Sequence, residues 1–230
     1  MPLTLLLPGA LLPPEVVDAL AEPLGQSALA AMLTRADLVG DTGTAAPAHL
    51  AWLAEHVFQR ELPLATAPYA HAALAGGVPT PAVVWHADPV HVELARDHLM
   101  VTPLTRPPTD DEADALIDAA NALTAEMDAR VLRVADRWFL HAERPWDLRA
   151  DPLSAAVGQP LPTALPTGAD ARRWNRLLTE IQMTWHMHPV NEAREARGEP
   201  TINSLWLHGG GAWSPLARGA FASVLADAPE

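Results

Sequence analysis

The densest run of chemically capable side chains is HMHPVNEAREARGEPTINSLWLHGGG, residues 186–211. It holds His186, His188, Asn191, Arg194, Arg197, Asn203 and His208, then Gly209, Gly210 and Gly211. Arg194 and Arg197 are three apart, so a helix puts them on one face. A planar guanidinium suits bidentate contact with phosphate or carboxylate. A glycine run lets backbone N–H groups come close to an anion. The candidate ligand-binding residues are therefore His188, Asn191, Arg194, Arg197, Asn203, Gly209, Gly210 and Gly211, and the ligand they suit is a small phosphorylated or carboxylated molecule. The same residues have quieter uses. A histidine before proline caps a helix C-terminus. The arginines pair with Glu192, Glu195 or Glu199 on a solvated helix. The asparagines satisfy buried backbone groups, and three glycines form a loop.

Metal and nucleophile chemistry draw on other combinations. His186, His188 and His208 are the candidate ligands for Mn or Zn, because imidazole suits such ions. However, alternate residues at a helix end point apart, and no carboxylate completes a recognisable spacing. A second group is His86, Asp88, His91 and Glu93, in which Asp88-Pro89 reads as a turn between strands. No cofactor is expected, with Mn or Zn as the alternative. No serine sits in G-x-S-x-G, and the first apolar run, LLLPGALLP, is not followed by G-x-G-x-x-G. Cysteine is missing, which excludes thiol nucleophiles, disulfides and thiolate metal sites. All 15 basic residues are arginine, which excludes lysine Schiff bases and a P-loop lysine.

Charge narrows the partners. Of the net −13, residues 1–170 carry 22 acids and 9 arginines, while residues 171–230 carry six of each. The first part repels polyanions, so nucleic acid is not an expected partner. No apolar stretch approaches the roughly 18 residues of a membrane span. The N-terminus, MPLTLLLPGALLPP, has no basic leader and is interrupted at Pro8, so it reads as a strand and not a signal peptide. A cytoplasmic location is expected. The expected partner is a small anionic metabolite or a protein, and the tryptophan-rich tail is compatible with a homo-oligomer.

The elements that must position these residues follow from pattern. Leu3–Leu7 reads as a strand buried on both faces. Glu15–Leu33 reads as helix broken at Pro23 and Gly25. Pro47 opens a helix through Arg60, and Pro68–Leu74 is a short helix closed by Gly76-Gly77. Ala82–His86 and His98–Thr102 read as strands. Thr109 to Glu112 is a capping box that opens a helix with Ala113, Leu116, Ile117, Ala120, Leu123 and Met127 at helical spacing. Val131–Ala135 and Arg137–His141 form a hairpin about Asp136. After a proline-rich crossing, Asp170 caps a helix running to about Met187, with Trp174, Leu177, Leu178, Ile181 and Trp185 inward and Pro189 as its stop. Ile202–Leu207 is the last strand. The alternation predicts a layered α/β fold with a mixed sheet. It is divided into a mostly helical lobe with one buried strand (1–78) and an α/β lobe (79–230) that carries the HPVN and GGG motifs.

The 186–211 segment closely resembles the signature of the bacterial RpfE-type regulatory protein family, with further matches at ADPVHVEL (87–94), RWFL (137–140) and LPTGADARRW (165–174). A more distant similarity joins HPVN, the following arginine and the G-x-P-x-x-N spacing to cofactor-independent, archaeal-type phosphoglycerate mutases of the alkaline phosphatase superfamily. The matching positions are His188, Pro189, Val190, Asn191, Arg194, Gly198, Pro200 and Asn203, then the glycine run. In those mutases the segment belongs to an inserted lobe away from the metal ligands. The resemblance implies chains longer than this one. It also implies an opening strand that ends in a metal-binding Asp-Gly, followed by a serine nucleophile. Here Pro8 stands at the aspartate position. The reading is therefore a non-catalytic, mutase-like protein with a regulatory or ligand-binding role. The alternatives are a metal-dependent phosphoester mutase or hydrolase, and a structural interaction module.

Overall fold

A thirteen-residue strand organises the described part of the chain. The computed structural model describes residues 48–60, 64–95, 98–157 and 159–216, with Ala31. The strand expected at Leu3–Leu7, the helices of Glu15–Leu33 apart from Ala31, and the start at Pro47 lie outside these residues. Two compact units divide near Leu62–Pro63. In the first, helix α1 (Ala48–Trp52) continues as a π-helical segment, Leu53–Phe58, that ends at Gln59 in the left-handed region. Trp52 and His56 stack at 4.8 Å within it.

The second unit contains helix α2 (Ala67–Leu74), strands β1 (Val83–Ala95) and β2 (His98–Pro103), and helix α3 (Asp110–Thr124). The hairpin β3 (Ala129–Val134) and β4 (Arg137–Ala142) follows. Two one-turn helices come next, α4 (Leu153–Ala156) and α5 (Leu161–Ala164). Helices α6 (Ala171–His186) and α7 (Pro189–Ala196) and strand β5 (Ser204–Ala212) complete it. Strand β1 pairs with β2, β4 and β5, and β3 joins through β4. The layered α/β arrangement holds, but every pairing among the described strands is antiparallel, so the sheet is not mixed in direction.

The expected turn at Asp88-Pro89 is instead the middle of β1. The reason lies in which edge needs the proline nitrogen. Asn203 N–H donates to Val90 O, and the Asn203 amide bonds both N–H and C=O of Val92, so the even-numbered residues here present their backbone to β5. Pro89 points to the other edge. There β4 pairs only as far as His86, and β2 begins at Val90. No ladder bond is asked of the one residue that cannot donate.

Period-2 alternation gives the sheet two unlike faces. Val83, Trp85 and Ala87 of β1 join Trp138 and Leu140 of β4 and Leu205 and Leu207 of β5 in one core. Helix α3 covers it with Leu116 and Ile117, and α6 with Trp174, Ile181 and Trp185, as their helical spacing requires. The Trp185 indole donates to Leu116 O, which fixes the two helices together. Ala67, Val84 and Phe139 meet on the opposite face under α2. Val90, Val101 and Trp206 meet there under Ala156, with Leu153 and Leu161 packed against them.

Local chemistry explains the ends. Thr109 Oγ1 accepts from Glu112 N–H and Glu112 bonds back to Thr109 N–H, which is the expected capping box. Asp170 does not cap α6. Its carboxylate accepts from Asp147 N–H, while the Asp147 carboxylate accepts from Ala169 N–H, so the two aspartates clasp the crossing loop. The glycine run is strand and not loop: Gly211 pairs with Val84 beyond a register shift. A Cβ on Gly210 would lie 2.0 Å from the Trp85 ring, so only glycine lets the strand cross that indole.

Gly210→Ala should therefore lower the unfolding free energy by about 1–3 kcal/mol through overpacking. Gly198→Ala has open space but a φ of 69°, and it should cost about 1 kcal/mol from backbone strain alone. Urea unfolding checks both, read as a midpoint shift at constant slope.

Candidate functional site

Helix α7 opens at His188, whose Nδ1 accepts from Val190 N–H at 3.2 Å. The histidine thus caps the N-terminus of α7 and not the C-terminus of α6, and Pro189 takes the first helical position, where no donor is needed. From this start Asn191 and Arg194 turn inward, each 1% exposed. Asn191 donates to Trp185 O and Ile202 O and accepts from Ile202 N–H, all at 2.8 Å. It ties the end of α6 to the approach to β5. Asn203 does the equivalent for β1 through Val92. Both asparagines satisfy backbone groups.

Arg194 uses all three of its nitrogens. Nε donates to Pro200 O at 2.9 Å, Nη1 to Glu112 at 2.8 Å and Nη2 to Arg106 O at 2.9 Å. Gly198, at φ 69°, reverses the chain so that Glu199 N–H bonds back to Arg194 O. That turn places Glu199 beside Arg197, 3.0 Å from Nη2, and the same nitrogen is 2.5 Å from Glu112. Arg106 reaches Glu199 from the other side. The five side chains Arg106, Glu112, Arg194, Arg197 and Glu199 form one network along a groove of about 710 Å³ whose walls include Thr109 and Val190.

The network sets its own protonation. Burial works to raise the Glu112 carboxyl, but hydrogen bonds from Thr109 N–H, Arg197 and Arg194 outweigh it and hold the group below its usual value. The Arg197 hydrogen bond, aided by Arg106, likewise holds Glu199 down against desolvation. Glu199, and in turn Glu112, raise Arg197.

The remaining candidates stand elsewhere. Gly209 lies against Thr66 and His86, Gly210 against Trp85, and Gly211 against Ala65, so the structure does not bring the glycine run to the arginines. His208 Nε2 is 2.8 Å from Asp88 and its ring stacks on His86 at 4.6 Å. His186 is exposed at the end of α6, and His186, His188 and His208 do not meet. His91 bonds Thr201 and Glu93 bonds Thr102, so the 86–93 group is split between neighbours. Among the described residues no group of three or more His, Asp or Glu side chains is placed to hold a metal ion.

Sequence reasoning gave Glu112 only its capping role and did not include Arg106. Their link to Arg194 spans 82 and 88 residues, a separation at which no local pattern operates. It also passed over His71 and His141. Their position on a face otherwise filled by Val84 and Phe139 was the signal available.

No protein-family model matches the chain, and no curated protein matches it. Among solved structures it is similar to the cofactor-independent phosphoglycerate mutase from Thermoplasma acidophilum DSM 1728, with a TM-score of 0.49 and 20% identity over 76% of this chain and 47% of that one. It is also similar to the PH0037 protein from Pyrococcus horikoshii, with a TM-score of 0.37 and 18% identity over 64% and 32%. The chain thus spans about half the length of the first. No helix among the described residues is long and apolar enough to cross a membrane.

Arg194→Met should destabilise the chain by about 3–5 kcal/mol, because it strands a carboxylate and two carbonyls that share one buried cation. Arg194→Lys should not restore it, having no planar fork. Glu112 and Glu199 are held below the usual 4.5. Their contribution is therefore present above that pH and lost as pH falls through their folded values. The acid limb of a stability–pH profile should be shallower in Arg194→Met than in the parent chain.

Proposed function

We propose that this chain is a non-catalytic, mutase-like binding protein with a regulatory role, and that its ligand is a small phosphorylated or carboxylated metabolite held in the Arg106–Arg197 groove. The supporting observation is that Arg106 and Arg197, with side chains 69% and 45% exposed, converge on one internal carboxylate, Glu199. Glu199 occupies the position that an incoming anion would take. Arg197 engages both of its carboxylates through Nη2 alone, which leaves the rest of its fork for a ligand. Arg194 is a fixed buried member and sets the geometry rather than the exchange. The resemblance to the RpfE-type family favours a regulatory role over turnover.

The test is a thermal-shift panel with 3-phosphoglycerate, 2-phosphoglycerate, inorganic phosphate, Mn²⁺ and Zn²⁺. A ligand at 100 times its Kd adds about 2.7 kcal/mol, several degrees for a chain of this size. A shift with a phosphoglycerate that disappears in Arg197→Ala and Arg106→Ala supports the groove, and both residues are exposed enough for those variants to fold. A shift that survives both changes refutes it. A shift with metal alone, reversed by chelator, favours the metal-dependent mutase or hydrolase. No shift with any of these favours an interaction module.

A further inference from the structure

Four histidines meet on the sheet face under α2. His71 of α2 and His141 of β4 have ring centroids 4.7 Å apart, and His86 of β1 stacks on His208 of β5 at 4.6 Å. Phe139 links the pairs, 5.2 Å from His71 and 5.4 Å from His86. Nδ1 of His71, Nδ1 of His86 and Nε2 of His141 are buried with no hydrogen-bond partner. A buried donor or acceptor left unmade is costly. Three on one face are uncommon enough to need a reason.

The surrounding charges do not favour protonation. Helix α2 presents His71, and its Tyr69 hydroxyl is bonded to Ser214. Strand β1 supplies Asp88, whose carboxylate is engaged by His208 of β5. Strand β4 supplies Arg137, which disfavours charge on His86. Strand β3 sets Arg130 directly across from His141. The two rings of the His71–His141 pair thus face each other, and among the described residues only burial and the neighbouring ring act on His141.

We propose that this histidine layer is an acid-sensitive latch, in which neutral imidazoles pack α2 onto the sheet and protonation of the His71–His141 pair releases it. Neutral rings pack as apolar bodies beside Ala67, Val84 and Phe139, His71 and His141 tilted and His86 and His208 stacked. A cation there finds no partner at His71 Nδ1 or His141 Nε2 and, once both rings charge, a like charge beside it. Lifting α2 would open both rings to water. Burial, then the neighbouring His71, holds His141 at about 4. Burial, then His208, holds His86 at about 3 against the pull of Asp88, and burial lowers His71 as well. These folded values lie below the usual 6.5, so the docked form binds fewer protons than the open one. Docking is complete above that pH and weakens as pH falls toward 4. For His141 alone, moving from 4 to 6.5 on release weakens docking about 30-fold at pH 5.

Hydrogen exchange of the full chain at pH 7.5 and 5.0, corrected for intrinsic rates, tests this. The expected result is an approximately 30-fold loss of protection in Ala67–Leu74 relative to Asp110–Thr124, which keeps its own protection. The same treatment of His71→Leu/His141→Leu should cut the loss of protection in α2 at pH 5. Equal loss in both helices, no loss in α2, or the same loss in the double variant overturns the latch. Should that variant not fold, NMR titration of the parent chain decides. Ring pKa values below 5 for His86 and His141 uphold the latch, and values near 6.5 overturn it.

Discussion

The Arg194 guanidinium is shut away from water, and that constraint organises the polar half of the molecule. A guanidinium 1% exposed has to be surrounded by acceptors. The ones it finds belong to three separate stretches: Glu112 at the start of α3, the Arg106 carbonyl before it, and the Pro200 carbonyl after α7. Once these are fixed, Arg197 and Glu199 fall into register beside them, because the Gly198 turn leaves the chain no other course. The groove is a by-product of satisfying one cation. Of its exposed members, Arg106 holds Glu199 and Arg197 holds both carboxylates from the solvent side, whereas Arg194 holds Glu112 from within.

Much of the framework was legible because it is written in short periods. The Thr109–Glu112 box and the inward stripes of α3 and α6 come from neighbours three and four apart, and the hairpin of β3 and β4 from alternation. What escaped was set by distant partners. Pro89 reads as a turn until one knows that neither β4 nor β2 reaches it on the edge where its missing donor would count. Asp170 reads as a cap until Asp147 and Ala169 offer it a better use. The glycines read as a loop, or as an anion cradle, until the Trp85 indole is seen lying against Gly210. In the candidate site, the shared face of Arg194 and Arg197 was visible from spacing. Their carboxylate in α3, which decides what that face is for, was not.

The two faces of the sheet solve the same packing problem with different materials. Toward α3 and α6 the strands offer Trp85, Trp138, Leu140, Leu205 and Leu207, a dry interior that is indifferent to solvent conditions. Toward α2 they offer imidazoles, of similar size to small apolar side chains but with a charge state that the medium can change. The difference is one of residue parity alone, since odd and even positions of the same strands supply the two faces. A one-residue slip in β1 would exchange them.

Asn203 guards against such a slip. Its carboxamide has the donor and acceptor of a peptide unit, and it presents both to Val92 just ahead of the first residue of β5. A side chain thereby does the work of an extra strand residue and marks the zero of the ruler along which β5 is laid. With the origin fixed at that end, the irregular spacing between Val84 and His86 is confined to the glycine end. Length can be gained or lost there without re-indexing the residues that build either face.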